Sequence, residues 1–315
     1  MKILKTIVVA ALAVSATLGT AATALAENER FVFVSHAPDS DTWWNTIKNA
    51  LNVASEQMGV TVEYRNPPTG DLADMARIIE QAAATNPNGI ITSIADFDVL
   101  RGPLTSAVDK GIPVITVNSG TVEQSKELGA LLHIGQPEYD AGKGAGERAK
   151  AEGVTKFLCV NHYITNPASV ERCQGFADAL GVELGSQMID SGIDPAEVKN
   201  KVLAHLRANA DTNGILTLGP NSAEPTIEAL KENGTAGQVF FGTFDLSPGI
   251  SAGIKDGTIS FAIDQQPYLQ GYLPVVLLTN YARYGVIPAN SINSGPGFVT
   301  KENIEKVEAL AGEYR

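Results

Sequence analysis

Residues 31–58 read FVFVSHAPDSDTWWNTIKNALNVASEQM, and this stretch decides the fold class. It begins with an apolar strand at residues 31–35. After a polar turn it continues as a helix whose apolar residues are spaced by three and four. Capping residues and both tryptophans of the chain, Trp43 and Trp44, stand at the start of that helix. A strand followed by a helix in this way begins a β-α-β unit and predicts a parallel sheet.

The two tryptophans are predicted to have different environments. Trp44 shares the apolar helix face with Ile47 and Leu51 and is predicted to belong to the core. Trp43 points about 100° away from that face. Ligands of open α/β sheets bind beyond the carboxyl ends of the strands, so Trp43 is predicted to be exposed or to face a ligand. The alternative that both rings are core residues stays open.

The first 26 residues have the pattern of a secretory signal peptide. Lys2 and Lys5 precede an apolar run at residues 7–14, and small residues follow up to the sequence ALA at 24–26. This pattern predicts export with cleavage before Glu27. Removal of 26 residues from 315 leaves 289, and the loss of two lysines changes the net charge from −12 to −14. Such an acidic chain argues against a nucleic-acid or anionic-membrane partner.

Short apolar strands alternate with helical periods along the whole mature chain. The strands are predicted at residues 31–35, 60–64, 89–94, 113–117 and 131–134 in the first half, and at 156–160, 182–188, 214–218, 239–242 and 258–263 in the second. This rhythm predicts an α/β fold with two doubly wound parallel-sheet lobes. Cys159 and Cys173 would link a strand to a helix, and either a disulfide or two buried thiols fit an exported chain.

Five motifs in order carry a resemblance to a known family. They are the pair at 43–44, GIPVITVN at 111–118, ERCQGF at 171–176, FGTFD at 241–245 and IDQQP at 263–267. Together they resemble the periplasmic pentose- and hexose-binding proteins of ABC importers, the group typified by ribose-binding protein, over nearly the whole mature chain. The resemblance implies the type I periplasmic-binding-protein fold, in which a multi-strand hinge joins the lobes. Residues 27–135 with about 266–295 would form the N-terminal lobe, and 136–265 with about 296–315 the C-terminal lobe.

The resemblance also implies a function. A protein of this kind captures a monosaccharide or sugar alcohol in the periplasm and delivers it to a membrane ABC permease. It works as a monomer without cofactor, metal or catalytic residue. A chemoreceptor or a sensor ectodomain is a second protein partner that the sequence leaves open.

The family's ligand contacts are carried over residue by residue. They fall on Asp41, Trp43, Trp44, Asn118, Arg172, Asn221, Asp245 and Gln265, with Ser119 beside Asn118 as a secondary candidate. His36 and His162 are further secondary candidates because each follows a predicted strand and would line the cleft, and a structural role is the alternative for both. Two departures reshape the pocket. The first is that an Asp and two tryptophans stand where similar members have Asn and two Phe. The second is that Asn118-Ser119 replaces the family's Asp-Arg pair.

Plainer structural roles compete with these assignments. Arg172 would otherwise pair with Glu171 or Asp178 on the surface, and Asp245 would cap the next helix. If both instead line an empty pocket, we expect Arg172 and Asp245 to pair with each other.

Other classes of protein find less support in the sequence. It contains no Gly-x-Ser-x-Gly, Walker or His-Glu-x-x-His motif that would indicate an enzyme. Residues 142–147 resemble a dinucleotide fingerprint, but Glu147 replaces its third glycine, so the stretch is interpreted as close helix packing. The effector domain of a sugar-responsive repressor shares this fold, but such a protein would carry a helix-turn-helix segment in place of the signal peptide.

Overall fold

The computed structural model describes residues 29–315, so the predicted signal peptide lies outside the described residues. The first half contains β1 Arg30–Val34, α1 Asn45–Met58, β2 Thr61–Arg65, α2 Leu72–Ala84, β3 Gly89–Thr92, α3 Phe97–Asp109, β4 Val114–Val117, α4 Val122–Glu127 and β5 Leu132–Gly135. The second half contains α5 Glu138–Ala151, β6 Phe157–Asn161, α6 Pro167–Leu180, β7 Met188–Asp190, α7 Pro195–Ala208, β8 Gly214–Thr217, α8 Pro220–Asn233, β9 Phe240–Phe244, α9 Pro248–Asp256, β10 Phe261–Asp264, α10 Pro267–Tyr284, β11 Ile292–Asn293 and β12 Gly297–Val299.

The strands form two sheets of six strands each. Their orders are β11-β5-β4-β3-β1-β2 in the first lobe and β12-β10-β9-β8-β6-β7 in the second. Neighbouring strands run parallel except for β10 and β12, which are antiparallel. The prediction of two doubly wound α/β lobes is therefore confirmed.

The chain passes between the sheets three times, from β5 to α5, from β10 to α10 and from β11 to β12. These three connections form the hinge. They place the carboxyl ends of both parallel sheets toward one shared cleft, which is where α/β folds bind ligands.

Each sheet buries apolar side chains on both faces, as parallel sheets do. In β1, Phe31 and Phe33 pack with Trp44 and Ile47 on one face. Val32 and Val34 pack with helices α2 and α3 on the other face. Trp44 is only 2% exposed, whereas Trp43 is only partly buried.

Helices α5 and α6 pack at backbone contact, which explains the small residues of the apparent dinucleotide fingerprint. A Cβ atom at Gly142 would lie 2.1 Å from the Arg172 carbonyl oxygen, and one at Gly175 would lie 2.1 Å from the Tyr139 carbonyl oxygen. A disulfide between Cys159 and Cys173, with a Cα–Cα distance of 5.9 Å, ties α6 to β6. The helix that carries Arg172 is therefore fixed on two sides.

The prediction of a strand at residues 182–188 is wrong. Strand β7 begins at Met188, and a 3-10 turn at Gly185–Gln187 precedes it. Gly181 and Gly185 have positive φ angles, 79° and 35°, and Leu184 between them has helical angles of φ −62° and ψ −62°, so no extended strand runs through this segment. Val182 and Leu184 instead pack on the core, which explains why they read as strand residues.

Candidate functional site

A cavity lies between the lobes, at the carboxyl ends of strands from both sheets. It brings together all eleven residues named as candidates from the sequence, which are His36, Asp41, Trp43, Trp44, Asn118, Ser119, His162, Arg172, Asn221, Asp245 and Gln265. Further lining residues that the sequence did not single out are Tyr163, Asn166, Ala168, Ser169, Leu218, Gly219 and Pro220.

The cavity has a volume of about 50 Å³, well below the roughly 300–1,000 Å³ of ordinary small-molecule pockets. The two lobes therefore lie close together around this cavity. A groove of about 940 Å³ opens beside the cavity and shares Trp43, Pro220 and Asn221 with it.

Asp41 joins the two lobes. Its carboxylate accepts from the Trp43 backbone N–H at 3.2 Å and from the Tyr163 hydroxyl of the other lobe at 2.9 Å. Burial raises the pKa of Asp41, against the opposing effect of hydrogen bonds from Tyr163 and Asn221. Trp43 and Trp44 meet edge to face beside it, with ring centroids 5.2 Å apart.

Asn118 links the first lobe to the hinge. Its backbone is left-handed, with φ 60°, and its amide Nδ2 donates to the side-chain oxygens of Gln265 and Gln270, both at 3.1 Å. Ser119 follows it and accepts from Asn166 Nδ2 of the second lobe at 3.0 Å. The Asn118-Ser119 pair thus makes neutral bonds where the resembling family has charged residues.

Arg172 is a buried guanidinium with a buried carboxylate partner. Its Nε and Nη2 donate to the two oxygens of Glu138 at 2.6 and 2.8 Å, and Nη1 donates to the Leu218 carbonyl at 3.0 Å. Burial acts to lower the pKa of Arg172, but the charge of Glu138 and its hydrogen bonds outweigh it and the net shift is upward. The guanidinium also lies over the Phe244 ring, 4.4 Å from its centroid.

The expected pairing of Arg172 with Asp245 is wrong. The two carboxylate oxygens of Glu138 accept from the guanidinium instead, because α5 begins at Glu138 and packs directly on α6. Asp245 accepts from Gln265 Nε2 at 2.8 and 3.0 Å. It does not cap the next helix, because Ser247 does. Burial raises the pKa of Asp245 to about 7, although the Arg172 charge and the Gln265 hydrogen bond oppose the shift.

The two histidines of the cavity are buried and neutral. His36 Nδ1 lies 2.8 Å from Ser93 Oγ, and His162 Nδ1 lies 3.2 Å from Ser222 Oγ. Burial lowers the pKa of His36 to about 4 and that of His162 to about 3. Neither ring contributes positive charge at neutral pH.

The polar residues of the site that were not found from the sequence are Tyr163, Asn166 and Ser169, which line the cavity, and Glu138, which pairs with Arg172. Tyr163 and Asn166 lie in the loop after β6, where turn residues such as the Asn-Pro at 166–167 are common. Glu138 belongs to none of the motifs, and in the sequence it looks like an ordinary acidic residue in the first turn of a helix. Only the position of that loop beyond a strand end could have indicated Tyr163 and Asn166.

The arrangement is suited to enclosing a polar molecule. Among residues 29–315, no group of three or more His, Cys, Asp or Glu side chains is placed to hold a metal ion. Within that range the structure also contains no helix long and apolar enough to cross a membrane. Two lobes, a three-connection hinge and an interlobe cavity of hydrogen-bonding groups define a ligand-binding protein that closes around its solute.

The sequence profile of the periplasmic binding protein domain family matches residues 31–285. The chain belongs to this family, and its role is that of a solute-binding protein.

Similar proteins include a xylose/arabinose-binding protein of Sulfolobus acidocaldarius, which is 25% identical over 301 residues covering 90% of this chain and 74% of that protein. A carbohydrate transporter protein of Acidothermus cellulolyticus, solved with myo-inositol, is 31% identical. It superposes with a TM-score of 0.84 over 90% of this chain and 98% of its own. A periplasmic sugar-binding protein of Legionella pneumophila is 26% identical and has a TM-score of 0.78, over 85% of this chain and 99% of its own.

Proposed function

We propose that this protein captures a monosaccharide or sugar alcohol between its lobes and delivers it to a membrane ABC permease. The observation that carries the proposal is the interlobe cavity, in which donors and acceptors of both lobes converge beside two indole rings. The similar proteins named for xylose and arabinose and solved with myo-inositol support a ligand of this class.

The chemistry of the cavity suits neighbouring hydroxyl groups. A carboxylate accepts charge-assisted hydrogen bonds from two adjacent hydroxyls, as Asp245 can. The fork of Arg172 is taken by Glu138, so this guanidinium can donate to a hydroxyl only through N–H groups other than those that bind Glu138 and Leu218. The C–H face of a sugar ring packs on an aromatic face, as Trp43 and Trp44 offer. Amides such as Asn118 and Asn221 both donate and accept, which matches hydroxyls in either role.

We further propose that the protein is exported to the periplasm with its signal peptide removed, acts as a monomer and breaks no bond in its ligand. The match to the periplasmic binding protein domain family supports the periplasmic location and the non-catalytic role. Closure around the ligand would be the signal that the permease recognises.

A thermal-shift screen of residues 27–315 tests the proposal. Pentoses, hexoses, myo-inositol and linear polyols form the test set, and nucleotides and amino acids form the comparison set. A ligand at a hundredfold excess over its Kd adds about 2.7 kcal/mol of stability. A raised melting temperature with a member of the test set is expected. A response confined to nucleotides or amino acids would overturn the proposal.

Substitution of cavity residues tests the site itself. Asp245→Ala is expected to weaken binding at least tenfold in calorimetry, because a hydrogen bond to a charged group contributes roughly 1.5–3 kcal/mol. Trp43→Ala is also expected to weaken binding, because it removes an aromatic ring on which a sugar can pack. Asp178→Ala removes an exposed carboxylate of α6 outside the cavity and serves as the control. Wild-type affinity in both cavity variants would contradict the assignment of the site.

A further inference from the structure

The charges that line the cavity do not balance. Asp41 and Asp245 both line it, and both are buried, with 6% and 4% of their surface exposed. Arg172 is the one guanidinium or ammonium group among the lining residues described by the structure. A cavity that contained only these three groups would already carry one excess negative charge.

The positive charge of Arg172 is already paired with a carboxylate outside the lining of the cavity. Glu138, which is 4% exposed, takes the fork of the guanidinium through both of its oxygens. The Arg172–Glu138 pair is therefore neutral as a unit. The Arg172 charge still acts on Asp245 from a distance, but neither Asp245 nor Asp41 forms a direct ion pair with it.

No other cation in the neighbourhood restores the balance. The buried rings of His36 and His162 are neutral at pH 7, because burial lowers their pKa values to about 4 and about 3. Lys48 acts on Asp41 through its charge, but its ammonium group lies over the Tyr64 ring, 4.8 Å from the centroid. Within residues 29–315, neither Asp41 nor Asp245 has an ion-pair partner within 4.0 Å.

The two carboxyl groups differ in their hydrogen bonds. Asp41 accepts from the Trp43 backbone, the Tyr163 hydroxyl and Asn221. Among the described residues, the carboxyl group of Asp245 has one donor, Gln265 Nε2. Each carboxylate oxygen accepts more than one hydrogen bond, so Asp245 retains unused acceptor capacity toward the cavity.

We infer that the preferred solute carries an amino group, as in an amino sugar or an aminocyclitol, and that its ammonium binds the carboxylate of Asp245. This inference rests on the proposed function and narrows its ligand class. An ammonium with three donors supplies both the missing charge and the missing hydrogen bonds.

The same charge count disfavours other classes of solute. A sugar phosphate or a uronic acid would add negative charge beside two buried carboxyl groups, and like charges in a dry site repel strongly. A neutral sugar leaves the imbalance in place, so that a proton must remain on one carboxyl group. The raised pKa of Asp245, about 7, agrees with that alternative.

Calorimetry at pH 7 on residues 27–315 tests the inference with matched ligands. One set contains D-glucosamine, its uncharged near-isostere D-glucose, and N-acetyl-D-glucosamine, which keeps the nitrogen as an uncharged amide. A second set contains an amino-deoxy-inositol and myo-inositol. In at least one set the amine is expected to bind at least tenfold more tightly than its uncharged counterparts.

Asp245→Asn separates charge recognition from shape recognition. This variant is expected to reduce the ratio of amine to neutral affinity at least tenfold, whereas Asp178→Asn, outside the cavity, should preserve the ratio. Equal or tighter binding of the neutral members would overturn the inference and leave the proposed function intact, and so would an unchanged ratio in Asp245→Asn. Failure of every member to bind a folded protein would overturn the inference, whereas the proposed function would fall only if the thermal-shift screen of pentoses, hexoses and polyols also gave no response.

Discussion

At the residue scale, the site depends on side chains held in uncommon backbone conformations. Asn118, Asp245 and Gln266 are non-glycine residues with positive φ angles. Asn118 and Asp245 directly follow a parallel strand, and Gln266 lies two residues beyond one. Left-handed backbone is costly for such residues and persists where the surroundings fix it. It turns the chain sharply at the strand end, so that Asn118 and Asp245 line the cavity.

Asp245 should make stability depend on pH. Its pKa is about 7 in the folded protein, above the ordinary value of 3.8. The folded state therefore holds this proton more tightly than the unfolded state does. The resulting stabilisation is complete below about pH 4 and is lost as the pH rises through 7. Asp245→Asn should consequently melt higher than the wild type at pH 8, by about 2–4 °C for each kcal/mol recovered, and nearly equally at pH 4.

The comparison for this experiment is Asp178→Asn. Hydrogen bonds from Tyr139 and Gln174 lower the pKa of the exposed Asp178 carboxyl group, so its removal should not stabilise the protein at pH 8. Differential scanning calorimetry across pH 4–8 measures both variants. Equal melting temperatures of Asp245→Asn and the wild type at pH 8 would show that Asp245 ionises without cost in the fold.

At the element scale, most of the fold follows from the periodicity of apolar residues. Strands buried on both faces, such as β1 and β3, appear in the sequence as short apolar runs, and the helices between them keep a three-and-four spacing. Strand β7 was misplaced because Val182 and Leu184 are apolar for a different reason. They pack on the core from a loop between two glycines.

Contacts between elements were less predictable than the elements. Motif order placed Arg172 in the cavity but gave no sign of Glu138, because their pairing depends on how closely α5 and α6 pack. Tyr163 likewise reaches Asp41 across 122 positions of sequence. A single sequence carries no signal for such pairs until the two lobes are placed against each other.

The packing of α5 on α6 should be sensitive to one methyl group. Gly142→Ala places a Cβ atom 2.1 Å from the Arg172 carbonyl oxygen, so one helix must move. Such overpacking typically costs about 1–3 kcal/mol. We expect urea unfolding to show that loss of unfolding free energy. Ligand binding should also weaken, because the backbone of Arg172 shifts.

Gly144→Ala is the matched control in the same helix. Its Cβ atom would lie 3.4 Å from the Phe298 ring, which is an ordinary contact. Alanine is a better helix former than glycine by about 1 kcal/mol, so this variant should be neutral or more stable. A similar stability for both variants would contradict close packing at Gly142.

At the scale of the whole molecule, the lobes are held closed by few direct bonds away from the hinge. Tyr163 and Asn221 donate to Asp41, and Asn166 donates to Ser119. On the outer side, Asn49 of α1 donates to the Glu313 carbonyl of the C-terminal segment. Because these bonds exist only when the lobes meet, they stabilise the closed state selectively and thereby add to ligand affinity.

Tyr163→Phe should shift the protein toward the open state. It removes the hydroxyl that donates to the buried Asp41 carboxylate at 2.9 Å and leaves the ring in place. A hydrogen bond to a charged acceptor is worth roughly 1.5–3 kcal/mol, so affinity should fall at least tenfold. Small-angle X-ray scattering of the ligand-free variant should show a larger radius of gyration than the wild type.

Tyr139→Phe distinguishes interlobe closure from the loss of any tyrosine hydroxyl. Its hydroxyl donates to Asp178 at 2.7 Å, and both residues belong to the packed helix pair α5 and α6 of one lobe. This variant should keep the radius of gyration and the affinity of the wild type. If Tyr163→Phe also kept the radius of gyration and the affinity of the wild type, the Tyr163–Asp41 bond would not stabilise the closed state. The bond would then be a consequence of closure, and the hinge and the ligand would set the closed state.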